Sequence, residues 1–102
     1  MTTKAHQQHQ IHEIKWTTHA RQRGQQRGIS QDAVRAALWF GERFWAGDGC
    51  VAYYLSRKVM RRVGSEISRT LEHYRDIAVI VASDGALVSV QHTPRPKRRW
   101  RR

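Results

Sequence analysis

The chain is 102 residues long, enough for one domain with a modest core and too short for two. Its 19 Lys and Arg stand against 8 Asp and Glu, and residues 51–102 carry +8 of the net +11, which points to a polyanionic partner. Cys50 is the only cysteine, so no internal disulfide forms, and the longest apolar run, Ile77–Ala82, is too short to span a membrane.

Residues 1–12 are rich in Gln and His and poor in apolar side chains, which predicts a disordered lead-in without a signal peptide. Ile14 and Trp16 alternate with polar neighbours as in a short strand. Thr18 reads as the N-cap of a two-turn helix stopping at Gly28, with Ile29 placed for the apolar contact of a glycine C-cap. Ser30 caps a second helix with Asp32 in its first turn, and Val34, Ala37 and Leu38 form its apolar face up to Gly41. The two form a helical hairpin.

Arg43–Trp45 and Val51–Leu55 read as a strand pair around the turn A-G-D-G-C. Val59, Met60 and Val63 mark a third helix ended by Gly64, and Ser65 reads as the cap of a fourth whose Ile67, Leu71 and Tyr74 are expected to be buried. Arg57, Lys58, Arg61, Arg62 and Arg69 fall on the opposite, basic side. Ile77–Ala82 reads as a strand buried on both faces, followed by a two-residue Asp84-Gly85 turn. Strict alternation in the return strand puts Ala86, Val88, Val90 and His92 on one face. Residues 13–92 are thus one α+β domain of short helices on a small antiparallel sheet.

Residues 93–102 carry Arg95, Lys97, Arg98, Arg99, Arg101 and Arg102 with two prolines and no acid, a composition that predicts a disordered basic tail. Such a tail, with Arg57, Lys58, Arg61 and Arg62, tracks a phosphate backbone, and Trp100 among its cations is the expected base stacker. Trp39, Phe40, Phe44, Trp45, Tyr53 and Tyr54 are a second stacking candidate, of which at least half are expected in the core.

The segment H-A-R-Q-R-x-x-x-R-G-I-S from His19 to Ser30, the Y-Y-L-S-R-K element and the final D-G-x-L-V-S-V-x-H hairpin resemble the domain-of-unknown-function 4258 family. The resemblance runs from about Trp16 to His92. It implies the α+β fold of bacterial ribonuclease toxins of the barnase, colicin and messenger-RNA-interferase type. Gly24 departs from the pattern, where a larger apolar residue is expected inside the first helix.

The chemistry follows from residue types. His19, Arg23 and Arg27 recur at i, i+4 and i+8 on one helix stripe, and His92 lies across the fold. Metal-independent RNA cleavage needs a base and an acid, which histidine supplies near neutral pH, and a cation fork for the crowded phosphate, which arginine supplies. In an endoribonuclease, His19 and His92 share the proton transfers and Arg23 and Arg27 hold the phosphate. Against this, the histidines are a cap neighbour and a strand end, and the arginines pair with Glu13, Asp32 or Glu42. His6, His9 and His12 recur every third residue, but a metal site needs a fixed frame, so neither a metal nor an organic cofactor is expected. Three readings stay open for a cytoplasmic bacterial protein off the membrane: an RNA-directed endoribonuclease, a non-catalytic RNA or ribosome binder, and a regulator of an acidic protein partner.

Overall fold

A computed structural model describes residues 15–102. The lead-in and His6, His9 and His12 lie outside the described residues. In chain order the elements are β1 (Lys15–Trp16), α1 (Thr18–Gln26), α2 (Gln31–Phe40), β2 (Glu42–Gly47), β3 (Cys50–Tyr54), α3 (Arg57–Arg62), α4 (Ser65–Leu71), a 3-10 turn (Glu72–Tyr74), β4 (Ile77–Val81) and β5 (Ala86–His92). The strands form one sheet ordered β1-β5-β4-β3-β2, an α+β architecture. It is mixed rather than antiparallel, because β1 pairs parallel to β5 through Lys15 and Trp16.

Local chemistry places the helix ends. The first N-cap is Thr17, one residue before the expected Thr18; its hydroxyl accepts from the Ala20 amide at 3.0 Å and donates to the Leu87 carbonyl at 2.8 Å, tying α1 to β5. At the other end Gly28 has φ +67°, its amide bonds Gln25 O, and the Ile29 amide bonds Gly24 O at 2.8 Å. That double closure ends a helix on a left-handed glycine and buries the next apolar residue, here Ile29. Ser30 caps α2 through the Ala33 amide at 3.1 Å, and Ser56 caps α3 through the Val59 amide at 3.2 Å. Gly64, not Ser65, occupies the cap position of α4, whose Ile67 is 40% exposed while Leu71 is buried. Leu71 is the one buried residue of this short helix, and Ile67, one turn earlier, falls off that face.

The β2–β3 turn is the two-residue Asp48-Gly49, with φ +55° and +74°, values that suit the right-handed twist of a tight hairpin. The β4–β5 loop is one residue longer than expected: Gly85 N bonds Ala82 O, Ala82 N bonds Ala86 O, and Ser83, Asp84 and Gly85 form the loop. The register then shifts between Ile80 and Val81. This bulge turns Leu87 as well as Val90 into the core, replacing the strict alternation that would have sent Leu87 to the opposite face from Val90 and His92.

The helix side of the sheet carries Val51, Tyr53, Val79, Val81, Leu87 and Val90, covered by Ala20, Ile29, Val34, Ala37, Val59 and Leu71. Gly24 is where α1 lies closest to β5: a Cβ there would sit 3.2 Å from Ile29 O and 3.6 Å from Val90 Cγ2. Its missing side chain is therefore a packing device, and the weak helix former is compensated by close approach. Among the described residues no helix is long and apolar enough to cross a membrane.

The opposite side of the sheet corrects the expectation for residues 93–102. Phe44, Ala52, Tyr54, Ala78 and Ile80 form a second apolar cluster, and Trp100, 5% exposed, closes it. The indole lies 5.8 Å from the Phe44 ring and 6.1 Å from the Tyr54 ring, centroid to centroid. The segment leaves β5 through Thr93, whose amide bonds Asp76 O at 2.7 Å and whose carbonyl accepts from Tyr54 Oη at 3.0 Å. It ends beside the edge strand, where Arg101 and Trp45 exchange both backbone hydrogen bonds. Trp100 is thus a core residue and not a base stacker; an open sheet face recovers more from burying an indole than solvent does.

Candidate nucleic-acid interface

Two groups of predicted residues occupy different parts of the molecule. The first is the corner between α1 and β5. His19 is exposed in the first turn of α1, Arg23 is half-buried in its last turn, and Arg27 is the C-cap residue just beyond it. Arg27 folds back so that Nη1 donates to Val90 O at 2.5 Å. His92 Nε2 lies 3.3 Å from Arg27 O, and since a carbonyl only accepts, that nitrogen carries the proton and leaves Nδ1 to solvent. His92 and Arg27 are therefore brought together.

His19 is not brought to them. It stands eight residues before Arg27, roughly 12 Å along the helix axis, and helical side chains lean toward the N-terminus, which carries its ring farther away. One phosphate does not lie within hydrogen-bond reach of both imidazoles. The acids named as partners for Arg23 and Arg27 are also occupied elsewhere: Asp32 pairs with Arg35 at 3.5 Å, and Glu42 with Lys58 and Arg102. Glu13 lies outside the described residues.

The second group comprises two cationic stretches, on α3 and on the C-terminal segment, that meet at one acid. Arg57, Lys58, Arg61 and Arg62 are exposed on α3, with Arg61 and Arg62 in its last turn where the helix dipole favours cations. Arg95, Lys97, Arg98, Arg99, Arg101 and Arg102 are exposed along the docked segment, five of them ahead of or beside the buried Trp100 that anchors it. The two stretches meet at Glu42, whose side chain is only 9% exposed. Glu42 accepts from Ser56 Oγ at 2.9 Å and from Arg102 Nη1 at 2.5 Å, and Lys58 Nζ lies 3.9 Å away. Burial by itself would raise the pKa of this carboxyl, but the hydrogen bonds from Ser56 and Arg102 and the charges of Arg102 and Lys58 outweigh it and hold the group below its ordinary value. One ionised carboxylate thus fastens the cap of α3 to the end of the basic segment. Sequence reasoning named Glu42 as a partner for Arg23 or Arg27 and missed its actual partners, Ser56, Lys58 and Arg102; the available signal was a lone acid at the start of a strand in a strongly basic chain.

The remaining burial is structural. Tyr54 is pushed up to about 12 by burial and then by the Asp76 carboxylate 3.5 Å from its hydroxyl. Arg102 also lies over the Phe44 ring at 5.0 Å, adding a cation–π contact to its ion pair. Among the described residues no cluster of three His, Cys, Asp or Glu side chains could hold a metal ion. Protein-family models, curated proteins and solved structures yield no match to the chain.

Proposed function

We propose that this chain is an RNA-binding protein that grips the phosphate backbone along α3 and residues 95–102, with the ribonuclease-toxin-like scaffold implied by its resemblance to the domain-of-unknown-function 4258 family. The observation that carries this reading is the meeting of both cationic stretches at Glu42, where Lys58 of α3 and Arg102 of the C-terminal segment flank one carboxylate. A fixed array of cations displaces condensed counterions without first having to order itself, which favours a polyanion over a lone acidic peptide.

The non-catalytic form is the better supported one, because His19 and His92 stand at opposite ends of α1. Cleavage would instead have to work from the corner of His92 and Arg27 alone. The test is fluorescence anisotropy of a labelled single-stranded RNA over a salt series, with the same samples run on a denaturing gel. Engagement of six phosphates gives a slope of log affinity against log salt near −4, and Arg61→Gln with Arg62→Gln makes it shallower by about 1.4. A slope near zero, or one unmoved by that double variant, refutes the reading. RNA cleavage lost in His92→Ala would restore the endoribonuclease, and tight, salt-tolerant binding to an acidic protein would favour the regulator.

A further inference from the structure

We propose that Trp45 is a stacking platform for one unpaired base of a single-stranded RNA, flanked by Arg43 and Arg101 as phosphate contacts. This rests on the RNA-binding reading above and adds to it a preference for unpaired strands. Trp100 cannot stack a base, since Phe44 and Tyr54 enclose it. Trp45 is 51% exposed and lies on the edge strand β2.

Three features of its setting point to a nucleotide. First, the backbone of Trp45 is fixed from both sides, by its register with Val51 of β3 and by two hydrogen bonds with Arg101, so the indole stands on a rigid base. Second, α2 packs on β3 and β4, while Trp45 at the β2 margin stays half exposed. A large indole half exposed on a framework that could have covered it forgoes burial that a partner would complete. Third, besides Val51 on β3, two of the residues neighbouring Trp45 on its own face are cations. Arg101 is its direct cross-strand partner, and such pairs project from the same face with Cβ atoms about 5 Å apart. Arg43, two residues earlier in the strand, shares that face, opposite Tyr53.

Arg101 is held in place as well as charged. Its Nη1 donates to Arg98 O at 2.8 Å and to Trp100 O at 3.2 Å, which fixes the guanidinium against its own segment. A half-exposed π-face on a strand that carries Arg43 and is bridged by Arg101 suits a base next to a backbone phosphate, whereas an acidic peptide has no use for the π-face. A duplex has its bases already stacked on one another, so the platform discriminates by strandedness.

The test compares the parent with Trp45→Ala, Trp45→Leu and Trp45→Phe on a short single-stranded RNA and on the blunt duplex made from it, by anisotropy at fixed salt. Trp45→Ala and Trp45→Leu should each weaken single-strand binding about tenfold or more, leave the duplex affinity unchanged and leave the salt slope intact. Trp45→Phe should retain most of the affinity. Trp45→Leu keeps apolar bulk on the strand, so its loss reads the π-face and not packing; matching circular dichroism of the variants establishes that they fold. Unchanged single-strand binding, or equal losses on both forms, overturns the platform while leaving the backbone-binding reading standing. A parent that binds neither form overturns both.

Discussion

Replacing Trp100 with alanine removes the side chain that seals the second face of the sheet, and its cost follows from the packing. Truncation of a buried indole typically costs about 3–5 kcal/mol. Two contributions then act against each other. The ring contacts with Phe44 and Tyr54 add loss beyond simple area. Against that, Trp100 Nε1 is buried without a hydrogen-bond partner, so its removal relieves about 1–3 kcal/mol of desolvation. The net expectation is a loss of about 3 kcal/mol, a large share of the 5–15 kcal/mol ordinary for a domain. At about 4–8 °C per kcal/mol, Tm falls by roughly 12–24 °C. Urea unfolding of parent, Trp100→Ala and Trp100→Phe measures this through the midpoints. Trp100→Phe keeps an aromatic plug and deletes the orphan donor, so it should stay within about 1 kcal/mol of the parent. A loss below about 1 kcal/mol for Trp100→Ala would refute the reasoning, since the 93–102 segment would then be held by its charges and not by its tryptophan.

Glu42 gives a pH dependence. Its carboxyl lies below its ordinary 4.5 in the folded chain, so its contribution to stability is fully present above that value and is lost as pH falls through the folded pKa. Denaturation of parent and Glu42→Gln across pH 7 to 3 should therefore show a gap that is constant down to about 4.5 and narrows below it; a gap that widens on acidification would contradict the assignment. At Gly41 an added Cβ would collide with Ala37 O and lie 2.8 Å from Tyr54 N, both backbone atoms that cannot swing aside. Gly41→Ala should cost about 3 kcal/mol in chemical unfolding, at the upper end for overpacking, and a near-neutral result would mean that α2 and β2 can part freely.

The helical hairpin was legible because its signals are local. Ser30 at a cap, Asp32 behind it and a glycine followed by Ile29 each act within one turn, and the structure keeps all of them. The hairpin of β2 and β3 was legible for the same reason, a glycine turn between β-branched and aromatic runs. The misplaced details share a different cause. The side to which Leu87 turns depends on one bulge residue, the burial of Ile67 depends on how far α4 rotates onto the sheet, and Gly24 makes sense only against Val90 across the fold.

The candidate site divides along the same line. Composition and spacing by themselves determined a basic, single-domain α+β chain, the cations of α3 and residues 95–102, and the presence of His19, Arg23, Arg27 and His92 as chemical groups. Only the tertiary structure decided which of these share a surface. It set His92 against Arg27 and left His19 a helix length away, docked a segment whose composition reads as disordered, and buried Trp100 while leaving Trp45 half exposed. The physical reason is that charge and helix caps are properties of neighbours in sequence, while burial depends on which face of the sheet stands open. Trp100 is surrounded by cations along the chain and by Phe44 and Tyr54 in space, and the second environment governs.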